Sequence, residues 1–430
     1  MALPPRFMSA LDTFKDQAKD AFWALSSCLC QQTPSVKING RTFKIIKVLG
    51  EGGFSFVYLA QDEYSGRHFA LKKIRCPTGA EGVKEAMREV EAYRRFKHPN
   101  IIRIFDSAVV QDPEGEGQIV YLFLPHYKRG NLQDAINANV VNGQHFREQE
   151  MVHFFKGTCE AVRAMHSYHP SAGSAGLPPT SNGVAGASSS NARGNGNANP
   201  QRKGSGRRLS NEDDEDERFP QPEGDADGGY SYEANDASSS VPLVTRNEVV
   251  FDGDEEVAEE VADPSTEVGI VPYAHRDIKP GNVMIADDNV TPILMDFGST
   301  MKARVHIENR SLALLQQDIA AEQSTMAYRA PELFDVKTGN TIDEKVDIWS
   351  LGCTLYALAY SHSPFENTQT TEQGGSIAMA VLNAQYKHPA SAYSQGLKSL
   401  IDSMLKVNPK DRPDIHQVIE MTNRVLQSLA

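Results

Sequence analysis

The stretch from Pro170 to about Val250 most constrains what this chain can fold into. It runs through SAGSAGLPPTSNGVAGASSSNARGNGNANP and NEDDEDE, with hardly an aromatic or β-branched side chain to bury. Such a segment cannot offset the entropy lost on ordering. Residues 169–269 are therefore predicted to form a disordered, acidic, low-complexity insert. Between Pro170 and Ile270 stand 20 acidic and 7 basic residues, which leaves 36 of each sign elsewhere. The net charge of -13 thus belongs to the insert, and the remainder is neutral. A neutral body lacks the clustered Lys and Arg that track a phosphate backbone, so no nucleic-acid partner is expected.

At 430 residues, with 40% hydrophobic and 23% charged side chains, the chain has ample material for a core on either side of the insert. No run approaches the ~18 apolar residues that would cross a bilayer. Five scattered cysteines, Cys28, Cys30, Cys76, Cys159 and Cys353, do not suggest a disulfide framework, and no secretory leader is read ahead of them. A reducing, cytosolic setting is expected.

With the insert set aside, the pattern changes from strands to helices. FKIIKVLG, FSFVYLAQD and RHFALKKI, within residues 43–74, alternate as three antiparallel strands would. EGVKEAMREVEAYRRF places Val83, Met87, Val90 and Tyr93 at helical steps. Two more strand-like runs follow, IIRIFDSAV and IVYLFL. After Tyr127 the pattern is helical, in EQEMVHFFKGTCEAVRAMHSY, in KVDIWSLGCTLYALAY and in the last forty residues.

Three patches carry chemistry. GEGGFSFV at 50–57 lies at a turn between two strands, where Gly50, Gly52 and Gly53 let backbone amides approach an anion. Alone it reads more readily as an ordinary hairpin turn. Lys72 sits mid-strand in FALKK, where an ammonium is uncommon unless something anionic meets it. The loop YAHRDIKPGN then brings Asp277, Lys279 and Asn282 within six residues, and MDFG adds Asp296. Asn282 and Asp296 are oxygen ligands suited to a hard cation such as Mg²⁺ that holds a nucleotide's phosphates. Asp277 can orient a hydroxyl and take its proton, while Lys279 offsets charge on the transferring group. The reaction class that follows is phosphoryl transfer.

These motifs, in this order, resemble those of eukaryotic protein kinases. The resemblance covers residues 43–426 apart from the insert. It implies an α+β, bilobal fold: a β-rich N-lobe and hinge at 43–127, and an α-helical C-lobe at 128–168 and 270–426. It implies an ATP site formed by Gly50, Glu51, Gly52, Gly53, Phe54, Ser55, Val57, Ala70, Lys72, Leu124, Pro125 and Tyr127, with Glu89 as the helix partner of Lys72. Pro125, His126 and Tyr127 would form the hinge whose backbone holds adenine. Asp277 and Lys279 would be catalytic, and Asn282 and Asp296, the latter followed by Phe297 and Gly298, would hold Mg²⁺. Asp347 would brace the catalytic loop, and Arg412 would be the buried partner of Glu332. Lys279 and Thr325 fit the serine/threonine pattern, with Ser or Thr of proteins as acceptor. Ser55 departs from the usual third glycine of the loop. A pseudokinase scaffold is the competing reading, but none of Lys72, Asp277 and Asp296 is missing.

Finer features, among them LGEGGFSFVYLA, LPHYKRGNL, LMDFGS and YRAPELF, resemble the Numb-associated kinase family, in particular its small lipid-anchored (palmitoylated) branch. That resemblance implies a constitutively competent enzyme with a helical extension after the Ala330-Pro331-Glu332 triplet. Arg276 leaves a phosphate-pairing site towards Ser299, Thr300, Ser324 or Thr325. Residues 1–36 lie ahead of the kinase pattern. Leu11, Phe14, Ala18, Phe22 and Leu25 predict a short amphipathic helix over 10–26, ending near Cys28 and Cys30. Ala2 excludes N-myristoylation. S-acylation of Cys28 and Cys30 beside an apolar helix would anchor the chain to a membrane; docking of that helix on the kinase body, with idle thiols, is the plain alternative. The lipid-anchored resemblance favours peripheral attachment to the cytosolic face of an internal membrane, Golgi or vacuole. GRRLSNEDDEDE also marks Ser210 as a modification site within the insert.

Overall fold

The computed structural model describes residues 34–52, 55–113, 115, 117–170, 269–366 and 376–429. The N-terminal helix, Cys28, Cys30, Gly53, Phe54, Ser210 and all of the insert between 171 and 268 lie outside the described residues.

Six strands form one antiparallel sheet in the order β1-β2-β3-β4-β6-β5. They are β1 (Ser35–Ile38), β2 (Arg41–Glu51), β3 (Ser55–Asp62), β4 (His68–Cys76), β5 (Asp106–Gln111) and β6 (Gln118–Leu124). The first strand was not anticipated. It exists because Asn39 and Gly40, at φ 44° and 86°, make the tight left-handed turn that an Asn-Gly pair favours between two strands. The run at 101–109 becomes a strand only from Asp106. Ile101 and Ile102 are instead drawn to the helical half, where Ile102 N–H donates to Leu294 O at 2.9 Å.

Period-2 alternation gives the sheet two apolar faces. Phe43, Phe56, Tyr58, Phe69, Leu71, Tyr121 and Phe123 belong to one buried cluster. On the opposite face, Val57 pairs with Lys72, Lys72 with Leu122, and Ala70 with Leu124. Helix α1 (Ala80–Arg95) packs on this sheet through Val83, Ala86, Val90 and Tyr93, all buried.

The remainder is helical, with short hairpins at its upper edge. Its helices are α2 (Leu132–Val141), α3 (Glu148–His166), α4 (Arg310–Gln323), α5 (Lys345–Tyr360), α6 (Ile377–Leu382), α7 (Gln395–Met404) and α8 (Ile415–Leu429). Helix α5 is buried along nearly its whole length and forms the centre of this half. Its Gly352 lies so close to α7 that a Cβ would come within 2.9 Å of Leu405. Paired strands β7 (Tyr273–Ala274) with β10 (Met301–Lys302), and β8 (Val283–Ile285) with β9 (Pro292–Leu294), bracket the loop at 275–282. A third hairpin joins β11 (Val305–His306) to β12 (Thr341–Ile342). The β-rich first half and helical second half expected from the sequence are observed. The helical extension is displaced: after a 3-10 turn at Pro331–Leu333, residues 334–344 carry only β12, and the extra helix α4 precedes Ala330.

Candidate active site

The site lies where the sheet half meets the loop at 275–282. Strand β4 presents Lys72 on the inner face, and α1 presents Glu89 towards it. Lys72 Nζ donates to Glu89 Oε1 at 2.7 Å and to Asp296 Oδ1 at 2.9 Å. One ammonium therefore links the sheet, α1 and the segment after β9. Burial alone would lower the lysine's pKa, but the Asp296 and Glu89 carboxylates outweigh it and hold it well above the ordinary value. Lys72 in turn holds the Asp296 carboxyl below the usual carboxylate range. Glu89 is pushed up, chiefly by burial, against the opposing pull of Lys72.

Tyr93 lies one turn along α1 from Glu89, and its hydroxyl donates to Glu89 Oε1 at 3.0 Å. Its ring meets Phe297 edge-on at 5.1 Å, and Phe297 meets the His275 ring at 5.3 Å. Sequence reasoning saw Tyr93 only as an apolar helix position. The spacing of four from Glu89 was the available signal, since such pairs share a helix face.

The loop itself is fixed from below by Asp347, on the first turn of α5. Asp347 Oδ2 accepts the His275 backbone N–H at 2.8 Å, and Oδ1 accepts that of Arg276 at 2.8 Å. His166, at the end of α3, adds its Nε2 to Oδ2 at 2.9 Å. No sequence pattern connects His166 to a residue 181 positions away. Arg276 holds φ at 67°, a strained value for a side chain with a Cβ, and these bonds maintain it.

Asp277 is the centre of the loop. Asn282 Nδ2 donates to its backbone O at 2.8 Å and to Oδ2 at 3.0 Å. Lys279 Nζ donates to Oδ2 at 2.7 Å and to Thr325 Oγ1 at 2.6 Å. Thr325 closes the set by giving its N–H and its hydroxyl to Asp277 Oδ1, at 2.9 and 2.8 Å. With its amide nitrogen committed to Asp277, Asn282 has its carbonyl oxygen left to accept a cation. That oxygen and the ionised Asp296 form a two-member hard donor set which fits a divalent ion retaining several waters or phosphate oxygens. Among the described residues no cluster of three or more His, Cys, Asp or Glu offers a rival metal site.

Of the nucleotide residues read from the sequence, Gly50, Ser55, Val57, Ala70, Lys72 and Leu124 share the inner face of the sheet, whereas Glu51 pairs with Phe56 of the opposite face. Gly50 and Glu51 end β2, Gly52 follows it, and Ser55 opens β3, with Gly52 N–H donating to Ser55 O at 2.8 Å. Val57 and Ala70 share the inner face with Lys72, and buried Leu124 ends β6 just before Pro125 and Tyr127. Glu332 and Arg412 pair as expected, through two bonds of 2.7 and 2.8 Å.

Arg276 does not meet the hydroxyls that the sequence placed before it. Its guanidinium is buried beneath α4, and Nη1 donates to Gln316 Oε1 at 3.0 Å. Ser299 donates to His275 O, Ser324 to Ala320 O, and Thr325 to Asp277. Burial lowers the Arg276 pKa to about 10, with Asp347 opposing. Gln316 was missed because nothing in the sequence ties the middle of α4 to the loop.

Against known proteins, the model for the protein kinase domain matches residues 43–169 and 271–422, stopping and resuming on either side of the insert. The chain belongs to the protein kinase family. Serine/threonine-protein kinase ppk13 of Schizosaccharomyces pombe is 32% identical over 385 residues, covering 89% of this chain and 90% of that one. Serine/threonine-protein kinase ENV7 of Saccharomyces cerevisiae is 30% identical over 413 residues, covering 94% and 97%. Human serine/threonine-protein kinase 16 is 29% identical over 388 residues, covering 90% and 91%. The kinase is thus of the serine/threonine class and of the branch its motifs resemble. ATP, a divalent cation and protein substrates come with that class.

Proposed function

We propose that this kinase transfers the γ-phosphate of Mg-ATP to serine and threonine hydroxyls of proteins, with Asp277 as the group that receives the hydroxyl proton. The observation that carries the reading is the junction of Lys72, Glu89 and Asp296, which sets a phosphate-holding cation beside a cation-holding carboxylate. Lys72, fixed by Glu89, holds the α and β phosphates. Asn282 and Asp296 hold Mg²⁺, which when bound neutralises charge on the phosphates and fixes their orientation. Asp277, aimed by Asn282 and Thr325, aligns the incoming hydroxyl and takes its proton, and Lys279 offsets charge on the group in transit.

The test is γ-phosphate transfer to a protein substrate in the presence of Mg²⁺. Asp277→Asn should lower kcat by about 10²–10⁴-fold with nucleotide affinity retained. Turnover at the parent rate would refute the assignment.

The same reading extends to location. The apolar spacing of Leu11, Phe14, Ala18, Phe22 and Leu25 ahead of Cys28 and Cys30 supports S-acylation of the two thiols and peripheral attachment to the cytosolic face of an internal membrane, Golgi or vacuole. The full chain should partition with membranes and label by acyl exchange, and Cys28→Ser/Cys30→Ser should lose both. An unchanged membrane fraction in the double variant would end this part of the proposal.

A further inference from the structure

The carboxylate that orients Lys72 receives two donors on the same oxygen. Lys72 Nζ reaches Glu89 Oε1 from β4 at 2.7 Å, and the Tyr93 hydroxyl reaches it from within α1 at 3.0 Å. Both Glu89 and Tyr93 are buried, at 6% and 3% exposure, so the carboxylate has little access to solvent. The Tyr93 ring is itself fixed: it packs edge-on against Phe297, the residue after Asp296, with centroids 5.1 Å apart and planes at 64°. Phe297 is held in turn by Phe96, stacked at 6.0 Å, and by His275 at 5.3 Å. A hydroxyl on so constrained a ring has one place to point.

We infer that Tyr93 is a positioning residue for nucleotide binding: its hydroxyl fixes the Glu89 carboxylate in the rotamer that presents Oε1 to Lys72. A phenylalanine at 93 would keep the packing and abandon the carboxylate to a single donor. A buried carboxylate that loses a hydroxyl donor is weakened by more than an exposed one, because water cannot replace it.

The inference rests on the proposed roles of Lys72 and Glu89, and the experiment separates the two. In the full chain, kcat and the KM values for ATP and for a protein substrate are measured for the parent, Tyr93→Phe, Glu89→Gln and the double variant, along with thermal midpoints. Tyr93→Phe should raise KM for ATP by about fivefold, the equivalent of one ordinary hydrogen bond, and leave KM for the protein substrate unchanged. A residue that served only to fill space would not produce that split. In the Glu89→Gln background the same change should have no further effect on KM for ATP, since the orientation it maintains has already been lost. Parent-like kinetics for Tyr93→Phe, or strictly additive effects in the double variant, would overturn the inference while leaving the Lys72–Glu89 assignment intact. A Glu89→Gln enzyme with unchanged KM for ATP would overturn both.

Discussion

Arg412 shows how much a single side chain commits in this fold. All five of its N–H donors are used: Nε to Lys406 O, Nη1 to Glu332 and Lys345 O, and Nη2 to Glu332 and Val407 O. The guanidinium also lies 5.1 Å over the Trp349 ring. Lysine keeps the charge but neither the fork nor the stacking. Arg412→Lys should therefore cost about 3 kcal/mol, read as a lower urea midpoint at unchanged slope. Asp347 gives a pH-dependent counterpart. Burial would raise its pKa, but the His166 bond and charge, His275 and the Arg276 N–H outweigh burial and hold it below 3.8. A carboxyl depressed on folding contributes stability that is present above its unfolded pKa and is lost as pH falls through the folded value. The stability gap between the parent and Asp347→Asn should thus close as acid titration passes below 3.8. The pairing of Arg412 with Glu332 was legible as part of a family pattern. The use of every donor was not, because the other three acceptors, the Lys345, Lys406 and Val407 carbonyls, are oxygens that only the folded chain brings to the guanidinium.

At the scale of elements, the sheet and its helix were legible where hydrophobic period and turn chemistry agreed. Strands β2, β3 and β4 follow their alternating runs, and KVDIWSLGCTLYALAY is helical from its first residue to its last. Two signals were present and unread. One is the Asn39-Gly40 turn that creates β1. The other is Asn309, whose side chain accepts the Leu312 N–H and caps α4 ahead of apolar residues at helical steps. The family resemblance places the helix after Ala330, yet its capping residue stands some twenty positions earlier. Helix α4 holds Arg276 through Gln316 and the 333–336 turn through Gln317, whose Nε2 donates to Phe334 O at 3.0 Å. Asn309→Ala should remove about 1 kcal/mol of cap stability. Amide exchange in the first turns of α4 would then accelerate about fivefold, while protection in α5 stays as it was.

For the whole molecule, the base of the insert is the informative feature. Val271 N–H donates to Tyr168 O at 2.8 Å, and the rings of Tyr168 and Tyr273 meet at 5.8 Å. Phe96, just beyond α1, packs edge-on against both, at 5.4 Å each. The chain therefore leaves the helical half and returns to it at one hydrogen-bonded point, and the family match breaks and resumes there. Removing 172–266 leaves enough residues to join the ends without displacing either, because closing a short loop costs little once its ends already touch. The shortened kinase should keep parent kcat and KM for ATP within about twofold; a dead enzyme would show that the excised residues act on the site. Composition made the excursion's limits visible in the sequence. That its ends meet beside α1 was not, since the aromatic residues concerned are separated by the very tract that hides their proximity.

A loop whose two feet are bonded to each other transmits little tension, whatever its length. The 168–271 junction is accordingly a splice point: a folded fluorescent protein with neighbouring termini could be carried there in place of the natural tract, and the reporter would travel with an enzyme still at work.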